Sequence, residues 1–252
     1  MSHGLALDHA AWSSPWRHRS VRDKAVLSLG LVLTAVSVPP VPGGLAVAGV
    51  AALLLLGPIR VGVIRLARII WMPALSILIG VATVAVSVSF DAGLRLEVTP
   101  AGLSMAGGLA VRAFAATLAM LTLACSTPMI DLLSALRRVR LPEPLIEVSA
   151  LVYRLTFGLL ETAGAIHAAQ EARLGYVNRR TAVRSASLAA SVLFVRSWER
   201  ARRLEDGLAG RGYTDSLRTL EPRRLRSNRF LAAALITVTA VAGGAAMAAV
   251  LR

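Results

Sequence analysis

Two arginines are the side chains of this 252-residue chain whose type and position best suggest a binding chemistry. Arg173 lies in AQEARLGYVNRR (residues 169–180) and Arg211 in AGRGYTDSLRTL (residues 209–220), and in both stretches a helix-like run reaches an arginine and then a Gly-Tyr pair. A guanidinium carries five N–H donors in a fixed fork and suits a carboxylate on a partner. The pattern predicts two docking points, although arginine near a helix C-terminus also favours the helix dipole without binding anything.

Two long helices are needed to position these arginines. In residues 145–173, Glu147, Arg154 and Glu161 recur every seven residues among apolar side chains, so a helix here must be covered on nearly all sides by protein or lipid. Residues 183–209 predict an amphipathic helix with an apolar stripe of Leu188, Val192, Val195, Trp198, Leu204 and Leu208 and a basic face of Arg196, Arg200 and Arg203.

Prolines and glycines mark where these helices begin and end. Pro142 and Pro144 break the chain before the first helix, because proline is favourable in a first helical turn and costly further inside a helix. Gly175 and Gly212 are placed to end the two helices, since glycine adopts the left-handed conformation of a helix C-cap at little cost.

The composition points to a membrane protein. Hydrophobic residues make up 56% of the chain and the mean hydropathy is +0.64, whereas soluble domains are nearer 45–50% apolar. The apolar excess lies in blocks, at residues 25–38, 44–56, 72–90, 102–126 and 230–251. The first block follows a basic segment and resembles a secretory signal, but the second apolar block follows it at once and favours two closely spaced spans.

The basic residues predict the topology. The net charge is +14, Lys24 is the only lysine, and 25 of the 28 basic residues lie before the first span, after the second, or in residues 131–229. The positive-inside rule then gives five spans with a cytoplasmic N-terminus. The predicted domains are a basic cytoplasmic tail (1–24), a four-helix membrane region (25–126), a cytoplasmic helical region (127–228) and a final span (229–252). Arg112, inside a span, is interpreted as snorkelling or pairing within the bundle rather than acting on a substrate.

At these residues the chain resembles the T component of energy-coupling-factor (ECF) transporters, the membrane coupling subunit of vitamin, cobalt and nickel importers. That family carries Ala-Arg-Gly or Ala-Arg-Ser motifs at the ends of two cytoplasmic helices. Here Ala172, Arg173 and Leu174 stand at the first end, with Leu174 in place of the small residue. Gly210, Arg211 and Gly212 stand at the second, with Gly210 in place of alanine. The segments RDKAVL (22–27) and MIDLLSALRRVRLPEP (129–144) extend the resemblance.

The resemblance implies an all-α integral membrane protein of about five spans, with two long cytoplasmic coupling helices inserted before the last one. Its partners would be the bilayer, two ABC ATPase subunits that receive Arg173 and Arg211, and a small substrate-binding membrane protein. ATP-driven motion would pass through the helices for uptake of a vitamin or transition metal, in the cytoplasmic membrane of a bacterial cell. The subunit itself would be no enzyme and would need no cofactor. The surface toward the substrate-binding protein would comprise Leu145, Val148, Leu151, Val152, Leu155 and Leu159.

Three other functions were considered from the sequence. A membrane enzyme would need convergent polar groups, and the histidines lie apart. His3 and His9 offer at most a weak metal site, and they belong to a tail that is expected to be disordered. Nucleic-acid binding would use the basic strip at 218–229, which instead precedes a span, where arginines meet anionic lipid. A stand-alone permease remains the alternative, although the spans carry few polar groups.

Overall fold

The computed structural model describes residues 3–89, 95–139, 141–212 and 227–250. These residues form two compact units. The first unit contains residues 3–89, 95–132 and 227–250, and the second contains residues 133–139 and 141–212.

The described chain is built almost entirely of helices, which confirms the predicted all-α membrane fold. The elements, in chain order, are α1 (His3–Ser13), α2 (Val21–Ser37), α3 (Leu45–Leu56), α4 (Val63–Ala85), β1 (Val86–Ser89), β2 (Arg95–Val98), α5 (Pro100–Ala124), α6 (Met129–Leu136), α7 (Glu143–Ala172), α8 (Arg179–Ala209) and α9 (Asn228–Val250). Short 3-10 turns at Pro15–His18 and Arg137–Val139 and a π-helical turn at Pro40–Gly44 connect some of them.

Three of the described helices, α4, α5 and α9, are long and apolar enough to cross a membrane. Helix α2 has 17 residues, and the π-helical turn together with α3 makes an apolar helix of the same length over Pro40–Leu56. At about 1.5 Å per residue, each of these is at the lower limit for a span of the ~30 Å hydrocarbon core. The chain is a multi-pass membrane protein, and five spans stay a prediction.

The predicted span at residues 72–90 is placed differently in the structure. Helix α4 begins at Val63, so Arg65 and Arg68 lie in its first two turns rather than in a loop. It ends at Ala85, and β1 pairs antiparallel with β2, with Val86 opposite Val98. Two features explain the error. In an apolar run, valines such as Val86 and Val88 are compatible with either a helix or a strand. A hairpin also depends on pairing with a later segment, which the local sequence does not show.

Helix α5 is the centre of the first unit and packs against α2, α3 and α4. Small side chains make this close packing possible, as is usual between helices in lipid. One cluster joins α2, α3, α5 and α9 through Leu31, Ala35, Val47, Ala115, Ala119 and Ala234. A second joins α3, α4 and α5 through Ala51, Leu55, Leu66, Ile69, Leu118 and Cys125, with Ala10 of α1 packed against it.

The N-terminal segment is helical, which corrects the expectation of a disordered tail. Ala10 and Ala11 of α1 are buried, and the Arg17 guanidinium lies 3.9 Å from the centroid of the Trp12 ring. Segment 1–24 is therefore not a tail throughout, since α2 already begins at Val21. Little in the weakly amphipathic sequence of α1 predicts this helix, because its stability comes from burial against α4 and α5.

The second unit is dominated by α7 and α8, which run 30 and 31 residues and are joined by a short turn. They approach closely at Gly158, where a Cβ atom would lie 2.8 Å from the Nη1 atom of Arg200. Asn178 caps α8 by accepting a hydrogen bond from the Thr181 N–H (2.9 Å), and the Thr181 hydroxyl accepts one from the Asn178 N–H (3.2 Å). This reciprocal capping box fixes where α8 begins.

Candidate functional site: two arginine-bearing helix ends

The first helix end, residues 172–174, closes α7 with a Schellman motif. The Leu174 N–H donates to the Glu171 carbonyl (2.9 Å), and the Gly175 N–H donates to the Gln170 carbonyl (2.8 Å). This motif requires a left-handed residue directly after the C-cap, and here that residue is Leu174, with a φ of 58°. Arg173 is the C-cap and is exposed. The motif therefore directs the chain away from the helix axis immediately after the arginine.

Gly175 was predicted to supply the left-handed turn, and the structure gives it another role. A Cβ atom at Gly175 would lie 2.7 Å from the Ser185 Oγ atom and 2.9 Å from the Gln170 carbonyl oxygen. The glycine is thus required by close approach of α8 to the end of α7, while the left-handed conformation falls on Leu174. Sequence alone favours glycine for a left-handed position, since leucine adopts it at a cost of roughly 1–2 kcal/mol.

Hydrogen bonds hold the first helix end in place. Ser185 of α8 donates from its hydroxyl to the Gly175 carbonyl (2.9 Å), and the Gln170 amide donates to the Ser185 carbonyl (2.9 Å). The Tyr176 hydroxyl donates to the Gln170 side-chain oxygen (2.7 Å), and its ring stacks on His167 with centroids 4.6 Å apart. These contacts join the turn to both α7 and α8, and they fix the backbone position from which the Arg173 side chain extends.

The second helix end, residues 210–212, closes α8 with successive three-residue turns. The Arg211 N–H donates to the Leu208 carbonyl (3.1 Å) and the Gly212 N–H to the Ala209 carbonyl (3.0 Å). Gly212 has a φ of 71°, as predicted for the residue that ends the helix. Gly210 keeps helical dihedral angles and all three residues are exposed. The residues after 212 up to 226, including Tyr213 of the repeated Gly-Tyr pair, lie outside the described residues.

The two helix ends share one feature, although Arg173 is itself a C-cap and Arg211 follows the C-cap Gly210. Each arginine is the last residue before a left-handed residue, which is Leu174 in one case and Gly212 in the other. Within the described part of the chain, Arg60 is the only non-glycine residue besides Leu174 that has a positive φ. Neither Arg173 nor Arg211 takes part in the ion pairs found among the described residues. Both arginines are exposed at a helix end, where another molecule can reach them.

The six apolar residues predicted to face a partner on α7 lie along one side of the helix but differ in exposure. Leu145, Val148 and Val152 are exposed, whereas Leu151, Leu155 and Leu159 are half-buried. On the exposed face, the Ser149 and Thr156 hydroxyls each donate 2.7 Å hydrogen bonds to the carbonyls four residues before them. This turns their donors back onto the helix and leaves the face largely apolar, as in helices that contact lipid or membrane proteins.

The apolar stripe of α8 is exposed at Leu188, Val192, Val195 and Trp198 and half-buried at Leu204 and Leu208, and none of its residues is buried. The side chains left open include Val183, Leu188, Val192, Phe194, Val195 and Trp198. The basic face carries an ion pair between Arg203 and Glu199 (3.6 Å), and Arg202 lies 5.8 Å from the Trp198 ring centroid. The amphipathic helix is confirmed, and its apolar side is available for a membrane or a partner.

Two basic residues in the first unit have roles that charge counting alone did not reveal. The Nη2 atom of Arg112 donates to the Val38 carbonyl at the end of α2 (3.2 Å), so it pairs within the bundle as interpreted. Lys24, counted as a flanking charge, is buried and donates to the Ser126 carbonyl (2.8 Å). The sequence alone could hardly have predicted the role of Lys24, because a single lysine among arginines indicates no more than a preference for a shorter, more compact cation.

The described residues contain no group of three or more histidine, cysteine, aspartate or glutamate side chains that could hold a metal ion. His167 contacts only Glu171 among the ion-pairing groups (3.8 Å), and Cys125 is buried in an apolar cluster. The side chains of His3 and His9 lie outside the described residues.

Comparison with known proteins agrees with this architecture. Residues 13–221 match the family described as cobalt transport protein, CbiQ. The chain is 38% identical to the cobalt transport protein CbiQ of Rhodobacter capsulatus over 219 residues, which is 86% of this chain and 88% of that protein. It is 32% identical to the CbiQ of Salmonella typhimurium, covering 75% of this chain and 88% of that protein. It is 33% identical to a putative fused cobalt transport protein CbiMQ of Methanocorpusculum labreanum, covering 47% of this chain and 20% of that protein.

The family match covers α2 to α8, and the relatives with extensive coverage are transport proteins. The chain therefore belongs to the CbiQ cobalt transport protein family, the T component of ECF transporters.

Proposed function

We propose that this protein is the coupling subunit of an ATP-driven cobalt importer. In this proposal it receives motion from two ABC ATPase subunits and passes it to a small substrate-binding protein in the same cytoplasmic membrane. It has no catalytic role of its own. The observation that carries the proposal is the pair of exposed arginines, Arg173 and Arg211, each placed directly before a left-handed residue at the end of a long helix.

The chemistry of the two helix ends supports docking to a protein groove. A guanidinium on a rigid helix end loses less conformational freedom on binding than one on a mobile loop, so more of its interaction energy is retained. At the first end, the turn after Arg173 directs the following chain away from the helix axis and so leaves room around the guanidinium. A carboxylate in each groove would form a bidentate pair with it. Since each end places an exposed arginine directly before a left-handed residue, one groove on each of two paired ATPase subunits would receive them.

The exposed face of α7 supports contact with a second membrane protein. Leu145, Val148 and Val152 stand at steps of three and four residues, and the Ser149 and Thr156 hydroxyls are satisfied internally. We propose that this face, with Leu151, Leu155 and Leu159 at its border, contacts the substrate-binding subunit. One relative is a putative fused cobalt transport protein, CbiMQ, which is consistent with a second transport polypeptide working beside this one.

The alternative of a stand-alone permease is less well supported by the first unit. One groove of this unit, of about 300 Å³, lies between α3, α4 and α5 and is lined by Leu45, Ala48, Ala74, Ile77, Leu78, Val81, Ala110, Val111 and Phe114. A transition-metal ion would find no ligand atoms among these side chains, because they are all apolar. The described groove therefore offers no path on which this chain alone could bind and carry cobalt.

The direct test is co-purification in mild detergent from cells that express the whole transporter. The Arg173→Glu/Arg211→Glu variant is compared with the wild type and with a control of equal charge change, Arg184→Glu/Arg196→Glu, whose arginines are also exposed but lie within α8. Loss of charged pairs at an interface costs about 3 kcal/mol or more, so ATPase recovery should fall roughly 100-fold in the first variant. Recovery should remain near wild type in the control.

Three results would count against the proposal. If the wild type brings down no ATPase, the coupling function is wrong and a stand-alone permease becomes the better hypothesis. If both double variants lose the ATPases equally, the two helix ends have no special role and total charge decides association. If the Arg173→Glu/Arg211→Glu variant still binds the ATPases and supports cobalt uptake, docking does not use these arginines.

A further inference from the structure

Two adjacent charged residues in the first turn of α2, Asp23 and Lys24, are buried deeply. Asp23 is 3% exposed and Lys24 is 2% exposed, and Lys24 is the only lysine of the chain. Removing charged groups from water costs several kcal/mol each unless their surroundings replace the lost hydration. The contacts of these two side chains therefore show which groups replace their lost hydration and indicate what role the buried charges have.

Lys24 binds the chain where it leaves α5. Its Nζ atom donates to the Ser126 carbonyl at 2.8 Å, a short charge-assisted hydrogen bond between residues 102 positions apart. Ser126 follows Cys125, the C-cap of α5, and is itself fully buried. The negative end of a helix dipole attracts a cation, so the ammonium stabilises this helix end through charge as well as hydrogen bonding. From Ser126 the chain continues into α6 and the second unit.

Asp23 contacts the chain where it enters α9. Its Oδ2 atom accepts a long hydrogen bond of 3.5 Å from the Ser227 N–H. Ser227 caps α9, because its carbonyl accepts from the Leu231 N–H (3.1 Å) and its hydroxyl accepts from the Phe230 N–H (3.3 Å). A carboxylate at this position favours the positive end of the α9 dipole. Charge supplies more of this contact than hydrogen bonding, because the distance exceeds the usual 2.7–3.2 Å.

We propose that Asp23 and Lys24 form a clamp that holds both chain connections of the second unit to the first turn of α2. In sequence the second unit is inserted between Leu132 and Pro222, so Ser126 precedes it and Ser227 follows it, and each of these two serines is bound by one residue of the α2 clamp. This inference rests on the proposed coupling function. In that setting the clamp makes Ser126 and Ser227 move together with α2. A displacement of α7 and α8 would then move the membrane helices as well, instead of only changing the conformation of the chain near these two serines.

The arrangement of charges supports positioning over general stabilisation. The cation is paired with a helix C-terminus and the anion with a helix N-terminus, which is the favourable sense at both ends. Exchanging the two charges would make both contacts unfavourable. General packing of α2 on α5 needs neither charge, as shown one turn further along, where the buried Ser28 hydroxyl donates to the Ala119 carbonyl at 2.7 Å.

The first experiment measures amide hydrogen exchange of the full chain in lipid nanodiscs and needs no partner protein. Lys24→Met should speed exchange in a peptide covering residues 123–132 about tenfold, as expected for loss of a charged hydrogen bond of about 1.4 kcal/mol, and leave residues 227–233 unchanged. Asp23→Asn should speed exchange in residues 227–233 about threefold, since only the charge is lost. Ser28→Ala, the matched control, should leave both peptides at wild-type rates, and Lys24→Arg should restore much of the protection.

The second experiment measures cobalt uptake and ATP hydrolysis by the reconstituted complex. Lys24→Met should retain ATPase binding and hydrolysis while uptake per ATP falls about tenfold, and Lys24→Arg should recover most of the ratio. An unchanged ratio in Lys24→Met, or an equal fall in Ser28→Ala, overturns the clamp. If Lys24→Met fails to assemble, the ratio in Asp23→Asn decides. Failure of the wild type to bind an ATPase would refute the proposed function instead, and the exchange experiment would still test the clamp.

Discussion

Replacing Gly175 by alanine tests whether close approach of α8 defines the first helix end. The added Cβ atom would lie 2.7 Å from the Ser185 Oγ atom and 2.9 Å from the Gln170 carbonyl oxygen, whereas ordinary contacts are 3.4–4 Å. Ser185 can rotate away only by giving up its 2.9 Å hydrogen bond to the Gly175 carbonyl. The Gln170 carbonyl is backbone and accepts the 2.8 Å hydrogen bond that closes α7, so it cannot withdraw without weakening that bond.

The expected cost follows from these contacts. Forcing an extra methyl group into a packed site costs about 1–3 kcal/mol, and a lost hydrogen bond costs about 1 kcal/mol. Alanine also restricts the unfolded chain and returns about 0.4–1 kcal/mol. The net destabilisation of the turn is about 2 kcal/mol, which corresponds to roughly 30-fold faster exchange of its amides.

Hydrogen exchange of a peptide covering residues 170–178 measures this change in nanodiscs. Gly164→Ala is the matched control, because Gly164 lies in the same helix and a Cβ atom there meets no other atom within 4 Å. That control should slow local exchange, since alanine in a helix is favoured over glycine by about 0.5–1 kcal/mol. Wild-type exchange in Gly175→Ala, or behaviour like that of the control, would refute the reasoning.

A double variant identifies the steric partner. Ser185→Ala alone removes one hydrogen bond and should cost about 1 kcal/mol. In Gly175→Ala/Ser185→Ala one of the two close contacts disappears, so the combined cost should be smaller than the sum by about 0.5–1 kcal/mol. Strict additivity would mean that Ser185 does not crowd position 175.

Two further changes test the helix ends and the topology. Leu174→Gly should slow amide exchange of the first helix end by up to about fivefold, because it relieves a left-handed leucine at φ 58° that costs roughly 1 kcal/mol, while Leu174→Val should speed it; equal rates in both would show that the left-handed conformation is not strained. Wild-type protein should resist a membrane-impermeant maleimide, since its one cysteine, Cys125, is buried. Thr99→Cys should then react in intact cells and Asn178→Cys only after permeabilisation, and the reverse pattern would overturn the predicted orientation.

Local patterns in the sequence were sufficient for most of the helices and for the two arginines. The apolar blocks predict α5 and α9 to within two residues, because a span must be apolar over its whole length. The end of α7 at Ala172 and the end of α8 at Ala209 follow from helix-forming runs that reach glycine-containing segments. The positions of Arg173 and Arg211 at exposed helix ends were therefore available from sequence, whereas their docking role stays a prediction.

Contacts between distant segments decided the rest, because no local pattern encodes them. Leu174 takes the left-handed position because α8 packs closely against Gly175 and Gln170 and so constrains the backbone of the turn. Sequence alone favours glycine at a left-handed position. Val86–Ser89 forms a strand because it pairs with Arg95–Val98 rather than extending α4. Lys24 counts as one more flanking charge in the sequence, and only the fold brings its ammonium group to a carbonyl 102 residues away, where burial and a helix dipole determine what that charge does.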